Sequence, residues 1–182
     1  MPLMLNTSTK LFILIVGLFL AASCSSGDAQ NANSNALVHV NPMATPSSDF
    51  TSEDITKLKW IEGTWRGMDG DKPFYERYKI VESTMIVETL NEDGTVDGDP
   101  GRFELKRGEF GQGEGDKRSA ASEISDTFVQ FVPAKIGSGL NSFRFTKESD
   151  GTWTALLEWP ASTTKPAGSK RYRMQPWKPP TN

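Results

Sequence analysis

The stretch SFRFTKESDGTWTALLEW, Ser142 to Trp159, alternates large apolar and polar side chains on both sides of an Asp150-Gly151 pair. Phe143 and Phe145 alternate with Ser142, Arg144 and Thr146, and Trp153, Ala155, Leu157 and Trp159 alternate with Thr154 and Glu158. Successive side chains of a strand point to opposite faces, so a period of two with one apolar side is the signature of a half-buried strand. Asp-Gly tolerates the positive φ of tight turns, and the two strands are therefore predicted to form a hairpin.

The same pattern spreads outward. Phe103 and Leu105 alternate with Arg102, Glu104 and Lys106, and further strands are predicted over 64–68, 74–81, 84–90, 121–125, 127–132 and 171–174, with Asp93-Gly94 as a second turn. Strands that recur about every dozen residues with no helix between them form an antiparallel meander, which closes as a barrel or stacks as a sandwich. The Cys, Trp, Cys framework of antibody-like sandwiches is missing, which favours the barrel. The expected fold is all-β: an antiparallel up-and-down barrel of 8–10 strands over residues 51–176, with a tail at 177–182. Ser52, Glu53 and Asp54 ahead of Ile55 and Leu58, with Lys57, Lys59 and Gly63 beyond, predict one short helix before the first strand. Gly108, Gly111, Gly113 and Gly115 lack the ending of a phosphate-binding loop and are expected to form a mobile connection. The Pro-rich tail after Pro176 is expected to pack little.

At the other end of the chain, Lys10 is followed by an apolar run from Leu11 to Ala22, then Ser23 and the only cysteine, Cys24. As a helix that run rises about 18 Å, too short for a hydrocarbon core of roughly 30 Å and suited to a signal peptide. Leu20, Ala21, Ala22, Ser23 and Cys24 resemble the lipobox of bacterial lipoproteins, which implies cleavage after residue 23 and acylation of Cys24. A buried free thiol is the alternative. Residues 24–50 are rich in Asn, Ser and Ala and read as a lipidated, disordered tether with a reach of roughly 25 to 30 Å. The expected location is the cell envelope, with the membrane as partner through the lipid anchor.

Composition removes several functions. The chain has 20 basic and 23 acidic side chains; taking away residues 1–23 removes Lys10 alone, leaving 19 against 23 and a formal charge of −4. An acidic balance without a basic stripe argues against nucleic-acid binding. The single histidine, His39, lies in the tether. A domain without His or Cys has no Ser-His or Cys-His nucleophile and no imidazole or thiolate for zinc or haem. No cofactor and no metal are expected. Asn91 to Gly101 matches part of a calcium-loop pattern, with Asp93, Thr95, Asp97, Gly98 and Glu104 at its positions, but it lies between strands and carries Pro100 at the usual apolar position. An acidic hairpin loop is the expectation there.

Trp60 to Gly67, WIEGTWRG, places Gly63 and Trp65 after a short helix and at the start of the first strand. This resembles the GxW opening of lipocalins and their calycin relatives. With the later FYERY and RYRM segments, it is similar to an uncharacterised family of lipocalin-like bacterial domains. The resemblance implies a lipocalin-like barrel in which a basic side chain of the last strand, Arg171 or Arg173, packs across Trp65 and closes one end.

Glu76 shares its alternating face with Phe74 and Tyr78, so a barrel aims its carboxylate inward. It reads either as a structural ion pair with a last-strand arginine or as a handle for a ligand's polar group. A barrel of this size either fills with its own side chains or keeps a cavity for one ligand. The expected activity is binding of a small apolar or amphipathic molecule, with Trp65, Phe74, Glu76, Tyr78, Phe103, Phe143, Phe145, Trp153 and Trp159 as candidate lining residues. The alternatives are a filled barrel serving as an envelope interaction module and, third, a cofactor-free enzyme using carboxylates and tyrosine; catalysis is not expected.

Overall fold

The computed structural model describes residues 44–164 and 166–180. Cys24, the signal segment, His39 and most of the tether lie outside the described residues.

Ten strands follow one short helix. Helix α1 (Ser52–Thr56) continues as a 3-10 turn over Lys57–Ile61. The strands are β1 (Gly63–Asp69), β2 (Lys72–Val81), β3 (Thr84–Leu90), β4 (Gly101–Lys106), β5 (Glu109–Gln112), β6 (Ser119–Ile124), β7 (Phe128–Pro133), β8 (Ser142–Lys147), β9 (Trp153–Trp159) and β10 (Gly168–Pro176). Each pairs antiparallel with its neighbours in sequence, and β1 pairs with β10 through Trp65↔Pro176 and Arg66↔Gln175. The result is a closed up-and-down barrel. Closure removes the exposed edges that an open sheet of this length would offer for aggregation.

The helix sits at one end because its apolar residues do. Ile55, Leu58 and Ile61 recur every third position and are wholly or almost wholly buried in the barrel core. Each such side chain contributes roughly 1.5–3 kcal/mol through the area it removes from water. The Asp54 carboxylate fixes the helix start by accepting from the backbone N–H of Thr51 at 2.9 Å and from Lys57 at 2.7 Å. Trp65 then ties helix to barrel, its indole N–H donating to the Ile61 carbonyl at 2.7 Å. The opposite end, termed the mouth below, is rimmed by the turns after β1, β3, β5, β7 and β9.

Three sequence expectations need correction. Glu109–Gln112 is a strand, not a mobile connection. Its glycine has a packing reason: a Cβ on Gly111 would lie 2.2 Å from the Ser119 carbonyl oxygen of the neighbouring strand. Residues 47–50, read as the end of the tether, join the barrel wall, where Ser47 N–H donates to Ala121 and Phe50 N–H to Gly108. The tail docks too. Trp177 stacks on Tyr75 with ring centroids 4.1 Å apart, and its N–H donates to the Thr64 carbonyl. That contact covers Tyr75 on the outer face of β2, which explains why this outward ring is buried.

The two turns behave as expected. Asp150 accepts from the Thr152 N–H and hydroxyl beside Gly151 at φ +79°, and Asp93 engages Thr95 in the same way.

Candidate functional site

Register decides which side chains enter the barrel. In β2 the inward positions are Phe74, Glu76, Tyr78 and Ile80, because Tyr75 stacks outside on Trp177 while Arg77 and Lys79 pair outside with Glu88. Carrying that parity through the ladders places Trp65, Met85, Phe103, Phe110, Phe131, Phe143, Phe145, Trp153 and Met174 inside.

Most of these aromatics touch one another. Trp153 lies edge to face with Tyr78 at 5.4 Å and with Trp65 at 6.0 Å, and it contacts Phe145 at 5.0 Å. Phe131 continues the cluster against Phe143 and Phe103, both at 4.8 Å. Trp65, Tyr78, Phe103, Phe143, Phe145 and Trp153 are at most 7% exposed. These six proposed lining residues, together with the helix, fill the helix-side half of the barrel as core. Phe110 and Phe131 belong to the same cluster and were missed as site candidates; for Phe131 the period-two pattern of 127–132 was available as a signal.

The mouth half is different. Phe74 and Trp159 are half-buried, and each lies over a glycine: a Cβ on Gly67 would meet the Phe74 ring at 2.2 Å, and one on Gly168 would meet the Trp159 indole at 2.8 Å. Tyr172, also half-buried, closes edge to face on Phe74 at 5.4 Å. Beside it Lys170 forms an ion pair with Asp69, and its ammonium stands 5.2 Å from the Tyr172 ring centroid. The Asp69 carboxylate, as the hydrogen-bond acceptor, holds the Lys170 pKa above its usual value.

Arg171 and Arg173 do not close the barrel over Trp65. They alternate with Tyr172 and Met174, so they point outward; both are exposed, and Arg173 pairs with Asp150. In register Trp65 stands opposite Pro176, and the inward Met174 lies two places before it, its sulfur 2.8 Å from where a Cβ on Gly67 would sit. The period of two in RYRM carried this outcome: the apolar partners, not the arginines, take the inner face.

Glu76 sits between these halves. It is 3% exposed, with Trp65 and Thr89 as its register neighbours on β1 and β3. Its carboxylate accepts one hydrogen bond, from the Tyr78 hydroxyl at 2.8 Å. Among the described residues no cation reaches it, so the expected ion pair with Arg171 or Arg173 is not formed. Burial pushes its pKa up to about 7, against the lowering effect of the Tyr78 bond. Burial, then the neighbouring carboxylate, drives the Tyr78 hydroxyl well above its ordinary value. Inside the same cluster the Trp153 indole N–H is buried without an acceptor.

A separate open pocket of about 630 Å³ lies on the outer wall, lined by Ser48, Lys106, Arg107, Glu109 and Arg118. Arg118 pairs with Glu109 through Nε and Lys106 with Glu104, while Nη2 of Arg118 is buried without a partner among the described residues. The barrel interior, with its unpaired carboxyl group, is the stronger site.

Fold and site together define a closed ten-stranded antiparallel barrel, plugged by a helix at one end and holding an ionisable group within. No family model matches the chain, and no curated protein or solved structure matches it either.

Proposed function

We propose that this is a lipid-anchored envelope protein whose barrel takes one small apolar or amphipathic molecule at its mouth. The observation that carries the reading is Glu76: a carboxyl group buried in the interior, bonded to Tyr78 alone and facing no cation among the described residues. Burying such a group is costly, and an apolar side chain of similar size would serve stability better. A polar handle for a guest accounts for it. Phe74, Trp159 and Tyr172, half-buried above it, supply apolar walls, while the packed cluster around Trp153 forms the floor. The lipocalin-like resemblance of the WIEGTWRG opening supports the same function, and the Cys24 segment supports the anchor.

The experiment is a thermal-shift and tryptophan-fluorescence titration of the fragment from residue 44 with fatty alcohols, fatty acids, fatty amines, isoprenoids and aromatic alcohols. Saturable binding raises the melting temperature, by an amount equivalent to about 2.7 kcal/mol at a hundred times the dissociation constant. A panel with no effect on either signal defeats the proposal. It would favour a filled barrel acting through its surface, a reading supported by the aromatic cluster that already occupies the helix-side half.

A further inference from the structure

We infer that the molecule taken at the mouth is an amine, a small amphipath whose ammonium group reaches Glu76 past the Phe74 and Tyr172 rings. The inference rests on the ligand-binding reading and adds the chemical class.

Three observations converge. Glu76 offers an acceptor whose partner among the described residues is a neutral hydroxyl, so once ionised it has no counter-charge. The rings above it, Phe74 and Tyr172, meet edge to face at 5.4 Å, so a guest that parts them meets aromatic faces, which attract cations. The mouth already holds one ammonium in the same kind of setting, since Lys170 lies between the Asp69 carboxylate and the Tyr172 ring. That pair is internally neutral and leaves Glu76 unmatched. Against an ionised Glu76 a carboxylate-headed guest would place like charge, and an alcohol would leave the charge uncompensated.

The exchange balances simply. Protonated Glu76 loses its proton to solvent, and the resulting carboxylate accepts hydrogen bonds from the ammonium of the guest, which keeps its own protons. Tyr78 continues to donate to the other side of the carboxylate. The charged side chains at inward positions of the surrounding strands are Asp69 in β1, Lys72 in β2 and Lys170 in β10, all at the rim; β3 contributes Thr89, and β9 contributes Trp153. With the Glu76 pKa at about 7, binding of an amine strengthens as pH rises through neutrality.

The test compares octylamine, octanol and octanoate on the fragment from residue 44, by calorimetry at pH 5.5 and pH 8.5. At pH 8.5 octylamine should bind at least about tenfold more tightly than octanol, as charge-assisted hydrogen bonds exceed neutral ones. Its affinity should fall roughly thirtyfold at pH 5.5, where a proton must first be displaced. Near pH 6, paired buffers of different ionisation enthalpy should register release of close to one proton per amine bound. Glu76→Gln should abolish both the pH dependence and the preference over octanol. Should Glu76→Gln fail to fold, the pH dependence and the head-group comparison on the parent protein decide the matter by themselves. If octanol or octanoate binds as well as octylamine, or if octylamine binding ignores pH, the amine inference is overturned while ligand binding stands. If none of the three binds, both fall.

Discussion

At the scale of single residues, Glu76 is the group whose chemistry departs furthest from its surroundings. Its pKa is raised from 4.5 to about 7 by burial, so the folded protein holds a proton that the unfolded chain releases. The sign follows: this contribution is complete below pH 4.5 and is lost as pH rises through about 7. A shift of that size corresponds to about 3 kcal/mol. Asp54 acts in the opposite direction, its pKa drawn down to about 2 by the hydrogen bonds from Lys57 and Thr51, so its contribution is present above the ordinary carboxylate range and lost in strong acid. From these two groups, stability without ligand should therefore be greatest at about pH 4 to 4.5 and decline toward pH 8. Urea midpoints across that range would show it, and Glu76→Gln should flatten the decline; parallel curves for the two proteins would remove Glu76 as its cause. The alternation of Phe74, Glu76 and Tyr78 made the inward carboxylate readable. Tyr78, two places along the same face, is its hydrogen-bond partner, whereas the lack of a cation among the described residues depends on how the last strand meets the first.

At the scale of elements, the helix, the β8–β9 hairpin and the alternating strands were legible because each carries its own period and its own turn residues. Strand β5 was hidden by its composition. Gly108 and Gly111 suggest freedom, yet each is required by another segment's backbone: a Cβ on Gly108 would lie 1.8 Å from the Ser48 carbonyl oxygen, as the Gly111 one would collide with Ser119. The tail misled for a related reason, since nothing local announces that Trp177 has a ring to stack on. Trp177→Ala should destabilise by about 1–2 kcal/mol, the loss of a half-buried aromatic pair, whereas Trp65→Ala should cost about 3–5 kcal/mol, as for fully buried aromatics. Denaturant unfolding of both variants checks the ordering. A Trp177 variant as stable as the parent would mean that the stack on Tyr75 contributes nothing.

At the scale of the whole molecule, the anchor and the barrel make separable claims. If Cys24 is the acylation site, Cys24→Ser should release the protein from the membrane fraction or leave its leader uncleaved, since acyl chains give the stable anchoring that the short apolar run cannot. Normal processing with retention in the membrane pellet would refute the lipoprotein reading. What the sequence determined by itself is the class of architecture: period-two alternation, Asp-Gly turns and a capped apolar helix are local signals, and together they specify an antiparallel meander led by one helix. Tertiary structure alone decided the rest. Closure of β1 on β10 joins segments more than a hundred residues apart in sequence, and the register of that junction set Trp65 opposite Pro176 and so fixed which part of the last strand lies over the first. Whether an aromatic lines a cavity or fills it depends on how far the opposite wall stands, and the contacts among Trp153, Phe145, Phe131 and Phe103 placed those rings in the core. Distances across a closed barrel are set by all ten strands at once, which is why no stretch of the chain, read alone, could state them.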